Sequence, residues 1–93
     1  MNRRRYDMPT AKILNEALIR GNRTVKAGDI VELLPLELSL NAKGWQFIRE
    51  WLGEGPYIIS RIGQWPCGKI VIYLKTSSGD ISEEPWAPAS DFI

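Results

Sequence analysis

The stretch PCGKIVIYLKTSSGDISEEPWAPASDFI, Pro66 to Ile93, carries the strongest strand signal in the chain. Within it Lys69–Lys75 alternates. Ile70, Ile72 and Leu74 point to one side and Val71 and Tyr73 to the other, as a backbone with a side-chain period of two requires. Thr76 to Asp80 has the length and composition of a hairpin turn, with Gly79 free to take a positive φ. The chain then returns through Ile81–Ala87, where Pro85 marks an edge or a break because proline donates no ladder hydrogen bond. Pro88 to Ile93 suits one turn of 3₁₀-helix followed by a short strand. One side of this unit closes a core. The other raises the question of what covers Val71 and Tyr73.

Upstream, PYIISRI is a β-branched run bounded by Pro56 and Gly63, which predicts a second strand. Before it, NAKGWQFIREWLGEGP predicts a helix capped by Asn41 and ended by Gly53, Gly55 and Pro56. Trp45, Ile48 and Leu52 lie one turn apart on one side, and Phe47 and Trp51 form an adjacent i,i+4 pair. Gly44 weakens the first turn by roughly 1 kcal/mol relative to alanine. So many large apolar side chains cannot sit free in water, and the expected role of this helix is to plug one end of the core.

Residues 35–44 form a long, partly apolar loop containing Leu36, Leu38 and Leu40. In VKAGDIVELLP, Gly28-Asp29 reads as a turn, Val31 and Leu33 alternate with Glu32, and Pro35 ends the strand. In TAKILNEALIRGN, Ala11, Leu14, Ala17 and Leu18 fall at helical spacing with Ile13 beside them. A helix over 10–20 follows, capped by Thr10 and stopped by Gly21 and Asn22, with a strand as the alternative. Residues 1–9 show no periodicity, which predicts a flexible basic tail ahead of a single domain at 10–93.

At 93 residues, 44% of them hydrophobic and 25% charged, the chain suits one small globular domain. No apolar run approaches the roughly 20 residues of a membrane span. The opening MNRRRYDMPT has a positive start with no apolar stretch behind it, unlike a secretory signal. One cysteine, Cys67, precludes an internal disulfide framework, so a reducing, cytoplasmic setting is expected. The net charge of +1 conceals an asymmetry: residues 1–26 hold seven basic and two acidic residues, and residues 27–93 hold five and nine. Such a head either seeks a polyanion or is simply solvated.

The order of these elements is strand, long loop, two strands, tight hairpin, strand, 3₁₀ turn and short last strand. Over about residues 25–93 this order, with the closing PASDFI, resembles an SH3-like barrel. The resemblance implies a mainly β (α+β) fold with one or two short helices: a five-stranded SH3-like barrel with a helix inserted in its long first loop, and with Phe92 and Ile93 as the pair that seals the sheet. It departs from peptide-binding SH3 domains in that LPLELSL matches no Ala-Leu-Tyr-Asp-Tyr stretch and Trp65 stands without a paired tryptophan. The spacing from Pro88 to Phe92 is also one residue longer. The opening Gly28-Asp29-Ile30-Val31 is similar to that of SH3-like ribosomal and transcription-factor modules, which bind RNA or protein.

Catalytic options are few. The chain has no histidine, so it lacks the usual general base near neutral pH and the commonest metal ligand. Gly53-Glu54-Gly55 and Cys67-Gly68-Lys69 lack the spacing of a phosphate cradle. Lys69 could lower the pKa of Cys67, but no base accompanies it. Glu83 and Glu84, adjacent on a strand, would face opposite sides and make a poor acid–base dyad. The expectation is a non-enzyme without cofactor or metal that binds a protein partner or associates with itself.

Its candidate binding residues are Tyr57, Trp65, Val71, Tyr73 and Trp86, rimming the reverse side of the sheet. The alternative is a nucleic-acid-binding accessory protein in which Arg3, Arg4, Arg5, Arg61 and Lys69 neutralise phosphates. A structural role is open as well, with the aromatics serving only as core and lid.

Overall fold

The computed structural model describes residues 12–39 and 42–93. The expected basic tail at 1–9, including Arg3, Arg4 and Arg5, and the expected caps Thr10 and Asn41 lie outside them. Among the described residues seven strands are formed: β1 (Lys12–Leu14), β2 (Ala17–Ile19), β3 (Arg23–Val25), β4 (Ile30–Val31), β5 (Tyr57–Gln64), β6 (Ile70–Leu74) and β7 (Trp86–Pro88). The one α-helix among them, α1 (Ala42–Leu52), lies in the long connection between β4 and β5. The class is therefore mainly β with one helix.

The expected helix over 10–20 is replaced by β1 and a β2–β3 hairpin. Ala17 and Ile19 are buried while Leu18 between them is exposed, so the local period is two rather than 3.6. Gly21 and Asn22 are not a helix stop. Their φ values of 78° and 58° turn the hairpin, whose tight loop favours residues that tolerate the left-handed region.

β5 organises the rest. Its first residues pair with β4 (Ile30 with Ile58, Val31 with Tyr57), and its last pair with β1 (Lys12 with Gln64). Its other edge pairs with β6, and β6 pairs with β7, all antiparallel. The register shifts between Ile59 and Arg61, so Tyr57, Ile59 and Ile62 all reach the core although one of them has the opposite parity.

The ladders do not close into a barrel. Past β7, a 3₁₀ turn at Ala89–Asp91 leads to Phe92, which forms an isolated bridge with Leu33. Glu32 and Ile93 exchange two backbone hydrogen bonds of 2.9 Å beside it. The sealing role expected of Phe92 and Ile93 is thus divided, because Phe92 is fully buried and Ile93 is exposed.

The β6–β7 connection is also longer than a tight hairpin. Thr76–Asp80 is followed by a further 3₁₀ turn at Ile81–Glu83, in which Asp80 accepts from the Ser82 backbone N–H, and regular pairing resumes only at Trp86.

The core gathers Ile19, Val25, Val31, Leu33, Ile48, Tyr57, Ile59, Ile62, Ile72, Leu74, Ala87 and Phe92. α1 presents Ile48 to it, with Trp45 and Leu52 packed alongside, and the Trp45 indole N–H donates to the Leu34 carbonyl.

Candidate functional site: an aromatic strip beside a charged groove

The reverse side of the sheet is built in cross-strand rows. One row runs Arg61, Tyr73, Trp86 across β5, β6 and β7, and the next runs Gly63, Val71, Pro88. Residues opposite one another in antiparallel pairs share a face, so these six lie together. Trp65, just beyond the end of β5, turns onto the same side. Its ring meets that of Trp86 edge-on, with centroids 4.7 Å apart, and its indole nitrogen lies 3.5 Å from the Tyr73 hydroxyl. Val71 does not join the main core, yet it is completely buried. Its parity places it under the aromatic layer, where it supports the surface without forming it.

Two cations flank the layer. The Arg61 guanidinium stacks 3.8 Å over the Tyr73 ring and pairs through Nε with Glu84 Oε1 at 3.2 Å. The other Glu84 oxygen accepts from Ser60 Oγ at 2.6 Å, and the Glu84 side chain is only 5% exposed. A carboxylate held this way requires its cation, since an unpaired buried charge is strongly destabilising. Arg61 is therefore committed within the fold. Lys69 is exposed, with Nζ 5.4 Å from the Trp65 ring centre.

Of the residues expected at this surface, Trp65, Val71, Tyr73, Trp86, Arg61 and Lys69 come together. Tyr57 does not, and its assignment to the surface needs correction. It lies in the core at 3% exposure, with its hydroxyl donating to the Gly53 carbonyl at the end of α1. Burial raises the pKa of its phenol above the ordinary value. Without the register shift in β5, Tyr57 would share the side of Arg61 and Gly63; the shift turns it inward.

Cys67 is exposed at the β5–β6 turn. Glu83 and Glu84 are not on a strand as expected, since Glu83 ends the 3₁₀ turn and Glu84 follows it; Glu84 is buried against Arg61, and exposed Glu83 accepts from Ser78 Oγ at 3.0 Å.

The sequence reading missed the neighbouring groove. Lys43, Gly44, Phe47 and Trp51 of α1 form one wall and Ser82 to Trp86 the other, enclosing about 630 Å³. Phe47 and Trp51 meet edge-to-face, with centroids 4.8 Å apart, and remain 45% and 47% exposed. Their i,i+4 spacing was visible in the sequence, but nothing in it said which side of the helix would be left open. Trp86 belongs both to the groove and to the sheet layer, so one aromatic strip extends from Trp65 through Trp86 to Phe47 and Trp51. A second hollow of about 430 Å³, lined in part by Pro56, Ile58 and Lys75, adjoins Trp51 on its other side.

Among the described residues no three His, Cys, Asp or Glu side chains come together as metal ligands, and no helix is long and apolar enough to cross a membrane. Comparison with protein-family models, with curated proteins and with solved structures finds no match, so the site rests on its own geometry.

Proposed function

We propose that the chain is a non-catalytic interaction module of SH3-like type that recognises protein through the aromatic strip. The fold reading is supported by the succession β4, β5, β6, β7, 3₁₀ turn and returning Phe92, and by the insertion of α1 in the long first connection.

The observation that carries the function is the half-exposed Phe47–Trp51 pair facing Trp86 across a groove. Single exposed apolar residues are ordinary, but adjacent large aromatics beside a concave surface mark an interaction site. Leaving half of each such ring in water forgoes roughly 2 kcal/mol of burial apiece, which a partner recovers. Tryptophan and tyrosine also supply much contact area at low entropic cost, a property of residues that dominate interfaces.

Selection of a random peptide library displayed on phage tests this reading. Peptides enriched on the wild-type protein are expected to lose at least tenfold in affinity on Trp51→Ala. No enrichment, or peptides that bind the variant equally, would overturn it.

The nucleic-acid alternative draws less support. Arg61 is engaged by Glu84, leaving Lys69 as the free cation of that set among the described residues. A labelled single-stranded oligonucleotide is expected to show no saturable binding at physiological salt, and tight, salt-sensitive binding would reverse the ranking.

A further inference from the structure

Granting that the groove recognises protein, we propose that its occupant is a second copy of this chain, related by a two-fold axis running along the groove. A two-fold interface uses the same patch on both partners, so that patch must complement itself. The Phe47–Trp51 wall faces the Ser82–Trp86 wall across one groove. Rotation about an axis lying in the groove lays each copy's aromatic wall against the other's Ser82–Trp86 wall.

The charges agree with the same axis. Lys43 lies on the α1 wall and Glu83 on the opposite wall. Neither has an ion-pair partner among the described residues. The third charged residue of the groove, Glu84, is neutralised by Arg61 within its own chain. Rotation along the groove carries the Lys43 wall of one copy over the Glu83 wall of the other, and does so twice per dimer. Rotation about an axis across the groove would oppose lysine to lysine and glutamate to glutamate. The unpaired charges thus select one of the two arrangements, as complementary charges fix register at interfaces. A net charge of +1 leaves little general repulsion between copies.

Sedimentation velocity over a concentration series tests the proposal on the full chain. The wild type is expected to be a reversible dimer. Lys43→Glu and Glu83→Lys should each weaken association at least tenfold, because each creates two like-charge contacts. An equimolar mixture of the two variants should associate again, since its heterodimer places every new glutamate opposite a lysine. Far-UV circular dichroism spectra of both variants should match the wild type, because both residues are exposed.

A wild type that stays monomeric up to about 1 mM, an affinity threshold near 4 kcal/mol, overturns the proposal. So does a dimer that is indifferent to both reversals, or a mixture that fails to recover. A monomer that still binds selected peptides through Trp51 removes the second copy and keeps protein recognition. A monomer that binds none removes both.

Discussion

Helix α1 has two apolar sides. Trp45, Ile48 and Leu52 turn toward the core, where Ile48 is fully buried and Trp45 finds a carbonyl for its indole N–H. Phe47 and Trp51 are just as large and as apolar, yet they stand half in water with only each other as a described ring partner. The same chemistry at the same spacing is structural on one side and available on the other. Helical periodicity states what can be buried; the position of the neighbouring sheet decides what is.

That contrast breaks most readily at Ile48. Ile48→Ala should cost about 3 kcal/mol, read as a lowered denaturant midpoint, because the tightly packed site cannot collapse around the lost methyl groups. A loss below about 1 kcal/mol would mean that α1 is a loose cover whose two sides do not differ.

Next comes Gly55, just after the helix, with φ at 86°. A Cβ there would sit 2.9 Å from the Tyr57 ring, which is held in place by its hydrogen bond to Gly53. Gly55→Ala should cost about 2 kcal/mol, combining left-handed strain with overpacking on the buried side. An unchanged thermal midpoint would show that Tyr57 yields easily.

Tyr57 also gives a pH signature. Because burial raises its folded pKa, the unfolded chain releases the phenolic proton first. Stability should therefore fall as pH rises from about 10 toward the raised value. Tyr57→Phe should make that decline shallower, and an identical alkaline slope would contradict the assignment.

The smallest effect on stability belongs to the open side. Phe47→Ala and Trp51→Ala should each cost no more than about 1.5 kcal/mol, below the cost at Ile48 and Gly55, while impairing association. A larger loss would place these rings in the core and take away the contrast.

Much of this fold was legible because local signals agreed with one another. The apolar content from Trp45 to Leu52 identified α1 as a helix packed on the core, the alternation through Ile70–Leu74 identified β6, and Pro88–Ile93 identified the 3₁₀ turn and the returning Phe92. The failures have physical causes. Ala11, Leu14, Ala17 and Leu18 happen to fall at helical spacing, and that outweighed the shorter alternation of Ala17, Leu18 and Ile19.

The bulge near Ser60 reset the parity of β5, which no pattern of apolar residues announces. Trp65, Tyr73 and Trp86 could be brought together from strand order alone. The groove beside them depends on where α1 lies against β7, a long-range fact.

The bridge from Leu33 to Phe92, with Glu32 and Ile93 beside it, has a kinetic consequence. It joins positions separated by nearly two thirds of the sequence, and the pairing of β1 with β5 spans almost as far. Contacts so distant along the chain repay their loop-closure entropy only late, so folding should proceed in milliseconds to seconds rather than microseconds. A nascent chain that has not yet exposed Phe92 beyond the ribosome cannot complete its core. Until Phe92 has emerged, Leu33, Val31 and Ile48 lack the ring that completes their packing.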